Sequence, residues 1–557
     1  MDYLQSLNER QRAAVVFDQG NLIITAGPGT GKTHTLTCRI KTLIPKLLSN
    51  QKILAVTFTN KAAQEMRTRL KELDVDIERS VEVGTFHAFA LALLRRYKDQ
   101  LAFPLDFNIA SPDEILILSK ELWSGRSKSE RRKTLKEISD KKSCLANAPD
   151  TADSLALSRF MRERKLVDFD DILRDSVILL RDNAEVLSNV RAAYRFILVD
   201  EYQDINAIQE ELLRLLAQGG AGLTVIGDPN QAIYSFRGSD VSFFGSFAKN
   251  FPPAQELSLS ENYRSSENLL TASAQVISAR EKIPLSPLTA RIYEQGFLNV
   301  HGAASVKAEA EYVVRSIEKL VGGTSMFSHD TKRASSHKGS EYSFGDIAVL
   351  YRLNRQSGAL KEALVRSGIP FQVSGDKAPT LALESRVFLR SLPDNTDLNT
   401  ALLSLKAKDP LLEENWEKVL AQASSSSSVA DFCDKISLTT SDDAFSFKVE
   451  KVSLMTLHAA KGLEFSVVFI IGCNEGLIPL ALEGFASDIE EERRLFYVGM
   501  TRAKRVLTLT HAPFNGLGKN HASPFLSDIE EALKSYEALA ARKPRRKNPD
   551  ADQLKLF

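Results

Sequence analysis

The stretch LIITAGPGTGKTHTLTCRI (22–40) sets an apolar, β-branched run before a glycine-rich turn and a helix-forming segment after it. Within it, Ala26-Gly27-Pro28-Gly29-Thr30-Gly31-Lys32-Thr33 has the spacing of a phosphate-binding loop, with alanine where the eight-residue pattern usually opens on glycine. Glycines let backbone N–H groups turn inward around phosphate oxygens, and the N-terminus of the next helix adds partial positive charge. Lys32 is placed to reach the β- and γ-phosphate oxygens, and the Thr33 hydroxyl to ligate Mg²⁺. A strand, this loop and a helix in that order predict a nucleoside triphosphate site at the edge of a parallel sheet.

Such a site needs a second strand that ends in carboxylates, and FILVDEYQD (196–204) supplies one. Asp200 can hold Mg²⁺ through water, and Glu201 can accept a proton from an attacking water. A further strand ends in GDPNQ (227–231), where Gln231 can sense a terminal phosphate. The same kind of apolar run recurs at 21–26, 53–59, 196–201 and 223–228, then at 347–351, 452–457, 467–472 and 506–510. Continuous apolar strands alternating with helical segments imply parallel sheets covered on both faces, and two series imply two α/β domains. A charged, helix-rich segment interrupts each series, at 89–165 and 379–447.

Across 557 residues the net charge is +1, so any nucleic-acid binding must come from a local groove rather than a global field. Cys38, Cys144, Cys433 and Cys473 are far apart in sequence, which argues against a zinc or iron–sulfur site. The first residues show no secretory pattern, and no apolar run has the length of a membrane span; both imply a soluble, cytoplasmic protein without membrane partners.

Taken in order, the motifs resemble those of the superfamily 1A DNA helicases, the Rep/UvrD/PcrA group. LNERQRAAV (7–15), AGPGTGKT (26–33), AVTFTNKAAQEMR (55–67), GTFHAFAL (84–91), VDEYQD (199–204) and VIGDPNQAIYSFRGSD (225–240) match the first half of the set. ENYRSS (261–266), AVLYRLNRQS (348–357), VSLMTLHAAKGLEFSVVFI (452–470) and EEERRLFYVGMTRA (490–503) match the second. The resemblance implies two RecA-like P-loop domains, 1–88 with 166–256 and 257–378 with 448–541. It also implies a helical insertion at 89–165, a reduced one at 379–447, and a tail at 542–557. It further implies ATP and Mg²⁺ as cofactors, and single-stranded and tailed duplex DNA as partners.

Carried over by residue, Gln11 would read the adenine edge, Tyr263 stack on it and Glu464 bond the ribose. Arg264 and Arg502 would reach the γ-phosphate from the second α/β domain, joining Lys32, Glu201 and Gln231 as catalytic residues. Phe58, Asn60, Lys61, Phe86, His87, Tyr234, Phe236, Arg237 and His458 would line the track of a single strand, where aromatic rings stack on bases and polar groups meet the backbone. The chain departs from the family pattern at three such positions. Phe236 stands where tryptophan is usual, His34 where an arginine often completes the adenine sandwich, and Gly358 where arginine is usual. The 379–447 segment is short beside the family's second insertion, so three activities stay open. These are 3′→5′ translocation with strand separation in repair or replication, translocation that strips proteins with little unwinding, and an ATP-switched tether.

The sequence closes on Gln553-Leu554-Lys555-Leu556-Phe557, beyond a basic run at 542–547. Gln553, Leu554, Leu556 and Phe557 resemble the short peptide by which bacterial proteins dock on the sliding clamp; a frayed end is the alternative. Residues 523–543 are expected to form a helix that closes the second α/β domain.

Overall fold

The computed structural model describes residues 3–100, 107–143, 151–279, 288–293, 295–322, 342–374, 381–393, 396–424, 426–439, 450–481, 488–513 and 521–535. Two six-stranded parallel sheets organise them. The first contains β1 (Asn21–Ala26), β2 (Lys52–Thr57), β3 (Val81–Thr85), β4 (Tyr194–Val199), β5 (Gly222–Gly227) and β6 (Ala254–Leu259), in the order β3-β2-β4-β5-β1-β6. The second contains β7 (Phe297–Gly302), β8 (Ile347–Tyr351), β9 (Phe371–Val373), β10 (Val452–Thr456), β11 (Phe465–Ile470) and β12 (Ala503–His511), in the order β7-β12-β11-β8-β10-β9. All pairings within both sheets are parallel, so the α/β reading with two sheets holds.

The central strands are buried along nearly their whole length, as in Ile347–Tyr351, where all five residues are enclosed. Their β-branched and aromatic side chains meet helices on both faces, which is what a continuous apolar run requires. Because β4, β5 and β1 are adjacent, the carboxyl ends of three strands place the phosphate loop, Asp200 and Asp228 side by side. Ligands of open α/β sheets bind at such ends.

Between β3 and β4, the helices Pro112–Leu122, Lys128–Ser143 and Ala152–Glu163 form a small unit around Ile115, Trp123, Ile138, Leu157 and Phe160. Between β9 and β10, five short helices within 383–438 enclose a core of their own, with Leu389, Leu402, Leu412, Val419 and Phe432. This second insertion leans on the first half of the chain. Arg95 and Arg390 both bind the Asp434 carboxylate, Arg386 binds Glu114 and the Ile109 carbonyl, and Leu383 packs on the first insertion's core.

One expectation is corrected after β12. Instead of a continuous helix from 523, a short helix, Pro524–Ser527, is followed by a 3₁₀ turn, Glu531–Leu533. Phe525, Leu526 and Ile529 bury against the second sheet, and Ser535 then bridges to Asn299 on β7. Burial on one side and pairing with an edge strand outweigh helix propensity there. The basic run and the closing pentapeptide lie outside the described residues.

Candidate functional site: an ATP cleft beside a row of rings

The phosphate loop turns on two left-handed glycines, Gly29 (φ +68°) and Gly31 (φ +81°), conformations that a side chain would strain. Gly31 is also the N-cap of the helix Lys32–Leu43, with no side chain capping its first N–H groups. A helix N-terminus that no side chain caps is the arrangement that suits a phosphate. Lys32 Nζ lies 3.2 Å from the Ala26 carbonyl, and Thr30 Oγ1 donates to the Gly27 carbonyl at 2.8 Å. Gln11 is buried and donates to the Thr30 carbonyl at 2.9 Å, so it braces the loop from behind.

Opposite the loop, burial and the neighbouring Glu201 push the Asp200 carboxyl up to about 7, against the pull of Lys32. Glu201 is held below its ordinary value: burial opposes ionisation, but Lys32 and Lys461 outweigh it. Glu201 also has φ +52°, a conformation costly for a residue with a side chain and typical of functional sites. The half-buried Thr33 completes a donor set of hydroxyl and carboxylate oxygens that fits Mg²⁺.

The second half of the chain reaches across this cleft. Arg502 is 1% exposed and donates from Nη2 to Gln231 Oε1 at 3.1 Å, while its other nitrogens serve the Val498 and Leu463 carbonyls. Gln231 in turn donates to Asp228 at 2.7 Å. Burial and the nearby Arg264 lower the Arg502 guanidinium to about 9. Two facing cations of this kind would be relieved by an anion between them. Arg264 Nε donates to Glu464 at 2.7 Å, and Lys504 holds the other Glu464 oxygen at 2.7 Å. Those cations, working against burial, bring the Glu464 carboxyl down to about 2.

At the base end, Tyr263 donates to Glu261 at 2.8 Å and accepts from Asn8 Nδ2 at 2.9 Å. His34 lies 3.4 Å from Ser6 Oγ; burial first and Arg69 second lower its ring to about 4, so it is neutral.

Beside the cleft runs a row of aromatic side chains. Phe58 stacks on Tyr234 (4.9 Å between centroids, 21° between planes), Tyr234 lies 6.0 Å from Phe236, and Phe236 meets His458 edge-on at 5.6 Å. Phe236 is 51% exposed, and the Arg237 guanidinium lies over both Tyr234 and Phe236.

A model described as the UvrD/REP helicase N-terminal domain matches residues 7–252. One described as the UvrD-like helicase C-terminal domain matches 257–378 and 412–513. The chain belongs to the UvrD/Rep/PcrA helicase family. Among curated relatives, the ATP-dependent DNA helicase PcrA of Leuconostoc citreum is 29% identical, over 98% of this chain and 88% of its own length. The PcrA of Staphylococcus aureus strain MRSA252 is 28% identical, over 95% of this chain and 87% of its own. The C-terminal family model leaves out 379–411, which falls within the second insertion.

Of the residues expected on the strand track, the fold brings Phe58, Tyr234, Phe236, Arg237 and His458 together, with Tyr234 buried in the second core against Phe58 and Phe236 the exposed ring. Phe86 lies elsewhere: it is 4% exposed within the first core, so its ring has no face to offer a base. His87 sits edge-on to Phe169 at 5.9 Å and is lowered to about 4 by burial. Lys61 is half-buried, and Asn60 donates to the Leu438 carbonyl of the second insertion at 2.9 Å.

Lys461 was given no role by the sequence, although it lies in the motif with His458 and Glu464. It pairs with the buried Asp204, donates to the Gln231 carbonyl at 2.6 Å, and lies over the Tyr234 ring. It therefore touches both the ATP cleft and the row of rings. Only the fold makes Asp204 and Lys461 neighbours, so no local pattern could have paired them. Among the described residues, no helix is long and apolar enough to cross a membrane.

Proposed function

We propose that this chain is an ATP-dependent DNA helicase that moves 3′→5′ along single-stranded DNA and couples hydrolysis to strand separation. The observation that carries the reading is the contact between Arg502 and Gln231, because Gln231 begins the segment whose next residues, Tyr234 and Phe236, form the row of rings. One six-residue segment, Gln231–Phe236, thus meets the ATP cleft at one end and a base-stacking surface at the other.

In this reading Lys32 and the loop N–H groups hold the β- and γ-phosphates of ATP, and Glu201, ionised under the influence of Lys32 and Lys461, takes a proton from water. Thr33 and Asp200 hold Mg²⁺, which, when bound, neutralises phosphate charge. Arg264 leaves Glu464 for the γ-phosphate, freeing that carboxylate for the ribose, while Arg502 approaches with Gln231. A guanidinium fork matches phosphate oxygens and stabilises the charge that spreads during transfer. Tyr263 and His34 flank the adenine, His34 as a neutral ring. Closing on ATP and opening after hydrolysis shifts His458 relative to Phe58, Tyr234 and Phe236, and the strand moves with them.

Strand displacement on 3′- and 5′-tailed duplexes tests this directly: unwinding is expected with 3′ tails, and activity confined to 5′ tails would sink the polarity. The small second insertion, moored to the first half, favours a second reading in which the motor strips proteins from DNA and opens duplexes weakly. Fast DNA-dependent ATP turnover with protein displacement but no strand opening would select it.

The closing peptide supports a proposed tether to a sliding clamp through Gln553, Leu554, Leu556 and Phe557, and hence work in replication or repair. Truncation after Asp552 is expected to abolish clamp pull-down and leave DNA-dependent ATPase intact. Equal retention of the clamp would remove that part of the reading.

A further inference from the structure

The chain passes from the first sheet to the second through Ser260–Ser266, and that crossing is fastened at both ends. On the first-half side Asn262, fully buried, donates from Nδ2 to the Pro28 carbonyl at 2.5 Å, and the Tyr263 N–H donates to the Gly29 carbonyl at 2.8 Å. On the second-half side Ser265 Oγ donates to the Ala503 carbonyl at 2.6 Å, and the Ser266 N–H to the Lys504 carbonyl at 3.2 Å. Arg264 lies between the two fastenings.

Asn262 also governs the Arg264 backbone. Its Oδ1 accepts from the N–H groups of both Arg264 and Ser265, at 2.8 Å each. One amide therefore has its donor end on the phosphate loop and its acceptor end on the arginine's own peptide. The approach is close enough to constrain the loop as well. A Cβ on Gly29 would lie 2.6 Å from the Arg264 Cβ and 2.6 Å from Asn262 Nδ2, so Gly29 is required for this contact as well as for its positive φ.

We infer that Asn262 is a positioning residue for ATP hydrolysis: it fixes the Arg264 backbone to the phosphate loop, so that Arg264 reaches the γ-phosphate by side-chain rotation away from Glu464. The inference rests on the proposed role of Arg264. It assigns the two arginines different modes of arrival, with Arg264 preset against the loop and Arg502 carried in by the second half. Asn262 then acts on turnover more than on ATP binding, because the loop's own N–H groups and Lys32 are untouched by it.

The test is a double-mutant cycle on single-stranded-DNA-stimulated ATPase in the full chain. Asn262→Ala is expected to lower kcat by roughly ten- to a hundredfold while the KM for ATP changes by less than about threefold. Asn262→Asp keeps the acceptor for both N–H groups and loses the donor to Pro28. It should lose about tenfold in kcat, and it serves if the alanine variant does not fold. Adding Asn262→Ala or Asn262→Asp to Arg264→Ala should cost no more than about threefold beyond Arg264→Ala alone, since both act through one group. Multiplicative losses in the double variant would overturn the inference, as would a wild-type kcat in folded Asn262→Asp while Arg264→Ala is impaired. A wild-type kcat in Arg264→Ala would instead sink the reading of Arg264 itself, and the inference with it.

Discussion

Three imidazoles show how a residue's surroundings override its usual chemistry. His34, His87 and His458 are all held well below 6.5, chiefly by burial, with His458 at about 3. Each is neutral in the folded chain near neutral pH, so contacts to DNA from His458 would be hydrogen bonds and ring contacts rather than ion pairs. The same shift ties stability to pH. A group with a depressed folded-state pKa binds protons in the unfolded chain first, so its stabilisation is full above about 6.5 and declines as pH falls toward 4. For His87 alone the loss between pH 7 and 5 is expected to be roughly 1–2 kcal/mol. Thermal unfolding of His87→Asn should therefore fall less over that range than the wild type; parallel curves would contradict it. At Phe236, alanine should weaken binding of a labelled oligonucleotide by about 1–3 kcal/mol, the usual value of one base–aromatic stack. Tryptophan there should tighten it, and anisotropy titrations report both.

The second insertion is an element held by charge at its edges. Asp434 serves two guanidiniums at once, so Asp434→Ala leaves Arg95 and Arg390 without that carboxylate. The cost is expected to be roughly 1–3 kcal/mol, felt as faster amide exchange in the helix Val429–Leu438. Unchanged exchange would mean that apolar packing suffices, Leu383 on the first insertion's core and Leu438 on the core of the first sheet. The elements also show what a sequence can and cannot disclose. Every strand whose apolar run stood out (β1, β2, β4, β5, β8, β10, β11 and β12) is interior to its sheet. The four that did not stand out, β3, β6, β7 and β9, are the four sheet edges. An edge strand borders solvent or loop on one side, so AQELSL at β6 carries polar residues that blur the pattern. The site divides the same way. The phosphate loop and the Asp200–Glu201 pair are local and legible, whereas Asn262 against Pro28 and Lys461 against Asp204 join positions more than 230 residues apart.

At the scale of the whole molecule, the two halves meet through polar contacts, among them Arg502 with Gln231, Lys461 with Asp204, Arg494 with the Ala232 carbonyl and Ser235 with Glu491, and through Ile233 and Tyr234, which are buried in the second half's core. Arg502→Lys keeps the charge but loses the planar fork. It is expected to lower kcat by about a hundredfold or more. It should also diminish ATP-driven approach of fluorophores placed on the two halves; full closure in the variant would assign closure to the other contacts. The second insertion sets a mechanical bound on that motion. It springs from the second sheet yet is moored to the first half at Glu114, Arg95 and Asn60, so it spans the hinge as a strap. Parting the halves therefore strains the ion pairs of Arg386 with Glu114 and Arg95 with Asp434, so the contacts that seat the insertion also restrain the cleft from opening.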